Sequence, residues 1–418
     1  MGSKRATAQK IKQVIQLSCL GSITFSGMCI YKGNEKYYST FLMPFLQNWI
    51  FKDAEQAHRV AIWACKNHLL IPPESVRKQC KANEINHVLC TTVAGLKFPN
   101  PVGIAAGFDK NAEAIEGVHN LGFGFVEIGS VTPKPQSGNP KPRVFRLNED
   151  KAIINRYGFN SEGHDVVYHR LEILNRKFAV TPESESKHNI SGPVIGVNLG
   201  KNKDSPVDSV QDYVDGIHKF GGIADYLVIN VSSPNTAGLR SLQEQEHMKN
   251  LIQKAIAARN QLNKHKNASK PPILIKIAPD LTDQDKVDIA QVVMASDYRI
   301  DGLIISNTTV SRPQSLTSPS KIERGGLSGA PLKQISTQTI SDMYKLTNGS
   351  IPIIGVGGVS SGQDAFEKIV AGASLIQLYT AFVYIGPPIA AKINQELEKI
   401  LKENGFTNIQ QAVGSAHH

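Results

Sequence analysis

Thiol chemistry is nearly absent from this chain. Its five cysteines, Cys19, Cys29, Cys65, Cys80 and Cys90, all fall within the first quarter of the 418 residues, with no pair at metal-ligand spacing and no even disulfide set. The remaining three quarters must work without a cysteine nucleophile or a cysteine metal site. No zinc-finger, helix-turn-helix or RNA-binding pattern accompanies the formal charge of +10. The basic balance therefore suits an anionic membrane surface or an acidic small molecule better than nucleic acid. The carboxylates carry no metal-site signature, and no metal is expected. Internal repeats are lacking, and low complexity is confined to a serine-rich linker near residues 182 to 192. What is present is a hydrophobic content of 41%, enough for a substantial buried core.

Charge is also missing near the N-terminus. Lys4, Arg5, Lys10 and Lys12 precede any acidic residue, and residues 14 to 31 then run without a charge until Lys32. A basic targeting segment followed by a short transmembrane anchor has this form, which sets residues 1 to 36 apart as a first unit. The stretch is diluted by Ser, Thr, Gly and Gln, so an ordinary amphipathic helix is the alternative. A secretory signal is the weaker rival, because it would expose glycosylation sequons at Asn230 and Asn307, where strand ends leave no room for a glycan. Residues 37 to 72 form a second unit, a helical hairpin. Phe41 to Gln47 and Trp49 to Phe51 are too apolar for a loop. Asp53 and Gln56 have capping-box spacing for a second helix through Val60, Ile62, Trp63 and Leu69, which Pro72-Pro73 stops. Such a hairpin either caps the main domain or serves a membrane-facing role. No obligate protein partner is indicated.

From Pro101 onward short apolar runs recur, each ending in small or polar residues. They are Val102 to Gly107, Phe123 to Ser130, Val194 to Gly200, Tyr226 to Ser233, Ile273 to Pro279, Gly302 to Thr308, Ile351 to Gly358 and Leu375 to Thr380. Most are separated by helix-length segments, so parallel βα units explain them, and eight such units predict an α/β fold of the (β/α)8 TIM-barrel type over residues 73 to 400. Residues 401 to 418 follow as a C-terminal tail. A doubly wound sheet would carry a Gly-x-Gly-x-x-Gly opening near its first strand, and none is there. Two gaps exceed ordinary loop length, Pro133 to Gly192 and Val310 to Leu332; both follow strands and are expected over the same barrel mouth.

Several predicted strands end in groups that orient a planar polar ligand. Asn198, Asn230 and Asn307 bring carboxamides that donate and accept, while Asn155 and Asn160 approach from the first long insertion. Each Asn alone is also an ordinary turn residue. Lys276 sits inside the apolar run Ile273 to Ile277, where a lysine is costly to bury without an anionic partner, so it should face the mouth and stabilise negative charge on an electron sink. Lys110 is a second cation at the first strand end, with a solvated loop lysine as the alternative. The glycines of Gly355-Val-Gly-Gly-Val-Ser-Ser-Gly362 and the pair Tyr379-Thr380 follow the seventh and eighth strands, where barrels commonly bind phosphate. Ser233 is the base candidate in the central segment, with no His or Asp beside it to make a hydrolase triad.

Five ordered motifs carry a resemblance. Gly103-Ile-Ala-Ala-Gly-Phe-Asp-Lys110, Glu127-Ile-Gly-Ser-Val-Thr-Pro133, Asn155-Arg-Tyr-Gly-Phe-Asn160, Asn230-Val-Ser-Ser-Pro-Asn-Thr236 and Gly355-Val-Gly-Gly358 resemble the membrane-associated class 2 dihydroorotate dehydrogenases over about residues 38 to 400. The resemblance implies FMN in a (β/α)8 barrel, oxidation of dihydroorotate to orotate in pyrimidine biosynthesis, re-oxidation by ubiquinone, and a place at the mitochondrial inner membrane through a single N-terminal anchor. It implies Ser233 as the base. It implies Lys110, Asn155, Arg156, Tyr157, Gly158, Phe159, Asn230, Asn235, Asn307 and Thr308 as orotate contacts. For FMN it implies Ala105, Ala106, Gly107, Ser130, Asn198, Asn230, Lys276, Ser306, Gly329, Gly358, Tyr379 and Thr380, with Ser306 departing from an expected threonine but keeping the hydroxyl. Met43, Leu46, Gln47, His58, Arg146 and Tyr379 resemble a quinone tunnel. The alternatives are another FMN barrel oxidoreductase acting on a pyrimidine with a soluble acceptor, and a membrane-tethered binding barrel without turnover.

Overall fold

The computed structural model describes residues 2–82, 86–179, 192–262 and 270–417; the serine-rich linker lies almost wholly outside them. All eight expected runs are strands. In chain order the strands are β1 (Thr91–Val93), β2 (Leu96–Phe98), β3 (Val102–Ile104), β4 (Phe125–Val131), β5 (Val144–Leu147), β6 (Ala152–Asn155) and β7 (Val194–Leu199), then β8 (Tyr226–Asn230), β9 (Ile273–Ile277), β10 (Gly302–Ile305), β11 (Gly326–Gly329), β12 (Ile353–Val356) and β13 (Leu375–Leu378). Parallel pairing closes β3, β4, β7, β8, β9, β10, β12 and β13 into a barrel, with helices outside it as the (β/α)8 reading requires.

Strand alternation sorts the side chains. Val126, Ile128, Ile275 and Ile277 point outward into the helix-packed core, whereas Phe125, Tyr226, Val228, Leu274, Ile304 and Ile354 fill the interior. Two strand glycines make this possible. A Cβ at Gly103 would lie 2.4 Å from the Phe125 ring, and one at Gly196 would lie 2.1 Å from the Tyr226 ring. The antiparallel β1–β2 pair contributes to this inner layer through Phe98, packed edge-on against Phe125 at 5.3 Å. The two long insertions, expected as loops, build a sheet together: β6 pairs antiparallel with β5 on one side and with β11 on the other.

The hairpin unit forms, with a correction to its first arm. Helical winding begins at Glu35 and runs to Ile50, with π-helical turns at Tyr38–Leu42 and Leu46–Ile50 flanking Met43–Phe45. Pro44 has no N–H to give back along the helix, and the neighbouring Met43 N–H reaches the carbonyl of Tyr38, one residue further than in an α-helix. The second arm is the helix Ala54–Lys66, capped by Asp53 accepting from the Gln56 N–H. The N-terminal segment is one helix, Gly2–Lys32, bearing exposed Ile15, Leu17, Leu20, Ile23 and Phe25. Among the described residues, however, no helix is long and apolar enough to cross a membrane, so the expected transmembrane span is not met. The C-terminal segment packs onto the barrel: Ile409 is buried and its N–H donates to the Val88 carbonyl, and His417 stacks on Tyr344.

Candidate functional site

The strand ends and the hairpin enclose one cavity of about 950 Å³. At its barrel end lies a web of carboxamides delivered by four strands. Asn198 Nδ2 donates to Glu127 Oε1 at 2.8 Å, which leaves Asn198 Oδ1 to accept from Ser130 Oγ and from Asn230 Nδ2 at 3.2 Å. Asn307 Nδ2 donates to Asn230 Oδ1 at 3.2 Å and to Ser232 Oγ at 3.0 Å, while its Oδ1 accepts the Thr308 N–H at 2.8 Å. Asn235 Nδ2 donates to Asn155 Oδ1 at 3.3 Å. Every amide therefore has a fixed sense, which a ligand with a definite donor and acceptor edge requires.

Lys276 extends from inside β9 to the cavity wall and is 5% exposed. Burial pushes its ammonium below the ordinary lysine range, and Glu127, 3.9 Å away, opposes that shift. Lys110 donates to the Gly107 carbonyl at 2.8 Å and lies over the Tyr157 ring at 4.1 Å. Burial, with Arg143 nearby, brings it down to about 8. Ser233 faces the cavity, buried, its Oγ accepting the Asn235 N–H at 3.3 Å. Ala105, Ala106, Gly107, Ser130, Asn155, Tyr157, Gly158, Phe159, Asn230, Asn235, Ser306, Asn307, Thr308, Gly329, Gly358, Tyr379 and Thr380 line the same space. Gly357 and Gly358 take positive φ of 119° and 71°, turning the chain between β12 and the helix Gly362–Val370, as a glycine-lined phosphate loop would.

At the hairpin end the wall is made by Met43, Leu46, Val60 and Leu70, with Gln47, His58 and Arg146 set among them. His58 sends Nε2–H to the Phe108 carbonyl at 2.7 Å, so Nδ1 is the acceptor facing the Tyr157 hydroxyl at 3.4 Å. Burial lowers its pKa to about 4, keeping the ring neutral; the exposure it retains opens onto the cavity. Gln47 Nε2 donates to the Val383 carbonyl at 2.7 Å. Arg146 Nη2 ties the end of the first arm through the carbonyls of Phe51 and Lys52, both at 2.6 Å, while its buried Nη1 has no hydrogen-bond partner.

Two expected contacts are placed elsewhere. Arg156 turns out of the cavity into an ion pair with Glu323 at 2.7 Å, and its guanidinium covers Phe145. Asn198 does not line the cavity; it is fully buried and bonded to Ser130 and Asn230. Sequence reasoning missed Glu127, Tyr226 and Gln377, which meet inside the barrel: Gln377 Nε2 donates to Glu127 Oε2 at 2.6 Å and the Tyr226 hydroxyl approaches it at 3.4 Å. A flavin fits the donor set, with a buried cation for the reduced ring, amides of fixed sense for its polar edge and glycine turns toward a phosphate.

The comparisons agree with this geometry. The family profile described as dihydroorotate dehydrogenase matches residues 88–401. A mouse protein named dihydroorotate dehydrogenase (quinone), mitochondrial, is 53% identical over 397 residues and 95% of each chain. A rice protein of the same name is 51% identical over 88% of this chain and 81% of its own. A crystal structure titled as that of DHODH in complex with ferulenol from Eimeria tenella superimposes with a TM-score of 0.82 at 44% identity, covering 90% of this chain and 99% of the other. The chain belongs to the dihydroorotate dehydrogenase family, in its quinone-linked class 2 branch.

Proposed function

We propose that this dihydroorotate dehydrogenase holds FMN over the carboxamide web, oxidises dihydroorotate to orotate beside Ser233, and passes the electrons to ubiquinone entering between the hairpin arms. The single cavity that reaches from Lys276 and Ser233 to Met43 and Leu46 carries this reading, because it gives two substrates access to one redox centre from opposite ends. FMN, when bound, supplies the hydride acceptor. Asn230, Asn307, Asn155 and Asn235 orient the substrate ring, and the Lys110 ammonium attracts its carboxylate. The Ser233 hydroxyl takes the proton from the carbon next to the ring carbonyl as its own proton passes to water, and the Asn235 N–H supports the negative charge left on Oγ while that proton departs. At the far end Arg146 Nη1 and Gln47 offer donors to the quinone carbonyls.

The relatives' names place those proteins in mitochondria. Together with the basic start and the exposed apolar side chains of Gly2–Lys32, they support a location at the mitochondrial inner membrane. The helix then meets the lipid as a single N-terminal anchor. A soluble electron acceptor is disfavoured by the apolar hairpin wall. The test is anaerobic. Adding dihydroorotate should bleach the absorbance of the bound flavin in a single turnover, and adding a ubiquinone analogue should restore it. A flavin that stays oxidised under dihydroorotate refutes the proposal.

A further inference from the structure

The chemistry proposed above makes no use of Glu127, although the barrel is built around it. Glu127 points inward from β4, is 0% exposed, and gathers donors from three other strands: Asn198 of β7 at 2.8 Å, Gln377 of β13 at 2.6 Å and the Tyr226 hydroxyl of β8 at 3.4 Å. Lys276 of β9 stands 3.9 Å from the same carboxylate, above a layer of Phe125, Val228 and Leu274. A buried charge of this kind is a poor source of stability, since well-packed apolar side chains of similar volume do as well or better. Its place directly beneath two groups assigned to the flavin shell points to a role in the chemistry.

We propose that Glu127 is a positioning residue for flavin binding and reduction. It is the counterion that keeps the Lys276 ammonium charged and turned to the cavity, and the acceptor that fixes the sense of the Asn198 carboxamide. The first function follows from isolation. Glu127 is the one charged group that opposes the desolvation of Lys276; the other titratable neighbour, Tyr226, is held neutral by burial and by Glu127 itself, and Asn198 and Gln377 carry no charge. The second follows from hydrogen bonding. With Nδ2 committed to the carboxylate, Asn198 must present Oδ1 upward, where Ser130 and Asn230 use it, and Asn230 in turn receives Asn307. One carboxylate thus sets both the electrostatics and the amide polarity of the ligand-facing surface.

This inference rests on the flavin reading and is tested on purified FMN-loaded enzyme with Glu127→Gln. The glutamine keeps the shape but turns one of two acceptors into a donor facing donors, and removes the charge. Lys276 should hold its proton more weakly. FMN should then be retained more weakly, and the affinity ratio of reduced to oxidised FMN should fall about tenfold, equal to a drop of ~30 mV in a two-electron potential. Lowering the pH should return the proton to Lys276 and close that gap. In a Lys276→Met background the same substitution should add no further potential shift. If Glu127→Gln fails to fold, the exchange of Glu127→Gln with Gln377→Glu keeps one carboxylate and one carboxamide in contact and should restore a potential close to wild type. An unchanged potential and FMN content in Glu127→Gln, an undiminished shift in the Lys276→Met background, or an exchange protein that binds FMN at the Lys276→Met potential would each overturn the role of Glu127. A wild-type protein that takes up no FMN would instead overturn the flavin reading.

Discussion

The two ends of the cavity solve opposite problems. At the barrel end Asn198, Asn230, Ser232, Ser233, Ser306 and Lys276 are all buried, and hydrogen bonds among Asn198, Asn230, Ser232 and Asn307 hold the carboxamides in fixed directions. At the hairpin end Phe41 is 65% exposed, Trp49 74% and Trp63 57%, and the helical winding is broken by π turns. A reacting centre gains from groups that need no rearrangement as charge develops. A port for a long apolar molecule gains from a wall that can adapt and from an outer face that lipid can wet. On the proposed function, the same chain spends its converging strands on the first task and a thin helical pair on the second.

The comparison breaks most sharply at Ser233. Ser233→Ala should retain flavin and orotate yet slow flavin reduction by about 100- to 10,000-fold, the usual contribution of a positioned base. Stopped-flow reduction near the wild-type rate across pH would remove Ser233 from the mechanism. Next in size is damage at the other end. Met43→Glu with Leu46→Glu places charge in the apolar wall, and quinone-dependent turnover should fall by about tenfold to a hundredfold while reduction by dihydroorotate is unchanged. Equal loss in both half-reactions would indicate a folding defect, and equal retention would reduce the hairpin to a cap.

A pH profile sharpens the contrast from the barrel side. Lys110, at about 8 in the free enzyme, is an ammonium below that pH and a neutral amine above it. The kcat/KM for the anionic substrate should accordingly decline as pH rises through about 8, approaching tenfold per unit, and Lys110→Met should abolish that limb. His58, at about 4, is neutral over the whole range, so quinone-side kinetics should show no matching step. A step common to both half-reactions would assign it to another group.

Much of this was legible in the sequence, for identifiable reasons. Barrel strands are short apolar runs that end in small residues, and a lysine inside such a run, Lys276, signals a buried purpose. Glu127 lies inside such a run too, Phe123 to Ser130, but its purpose did not show, because its partners Asn198 and Gln377 lie 71 and 250 positions away and only barrel closure brings them together. The sheet of β5, β6 and β11 was hidden in the same way, since its central strand pairs with a segment from the other insertion. Arg156 followed its motif neighbours in the sequence reading, but its guanidinium leaves them for Glu323 and the face of Phe145.

The smallest effect tests whether the two ends are as separate as their compositions suggest. Arg143 is buried and donates to both Glu55 oxygens, at 3.1 and 2.9 Å, and to the carbonyls of Ser137 and Asn139 in the first long insertion. Glu55 belongs to the second hairpin arm, so this fork fastens the proposed quinone wall to the insertion proposed to cover orotate. Although burial raises the Glu55 pKa, hydrogen bonds from Arg143 and Lys141 outweigh it and hold the carboxyl below its ordinary range, so the clasp is charged at neutral pH. Glu55→Gln would offer Arg143 one acceptor in place of two and remove the charge, loosening both attachments while contacting none of the groups assigned to the chemistry, although the Lys110 step should move to lower pH with the loss of a nearby negative charge. KM for dihydroorotate and for the quinone should each rise about two- to fivefold, within the ~0.5–1.5 kcal/mol typical of a single hydrogen bond, with the single-turnover reduction rate at saturating substrate unchanged. A rise in the quinone KM alone would show that the insertion stands without the hairpin, and the two ends would then be independent in fact as well as in composition.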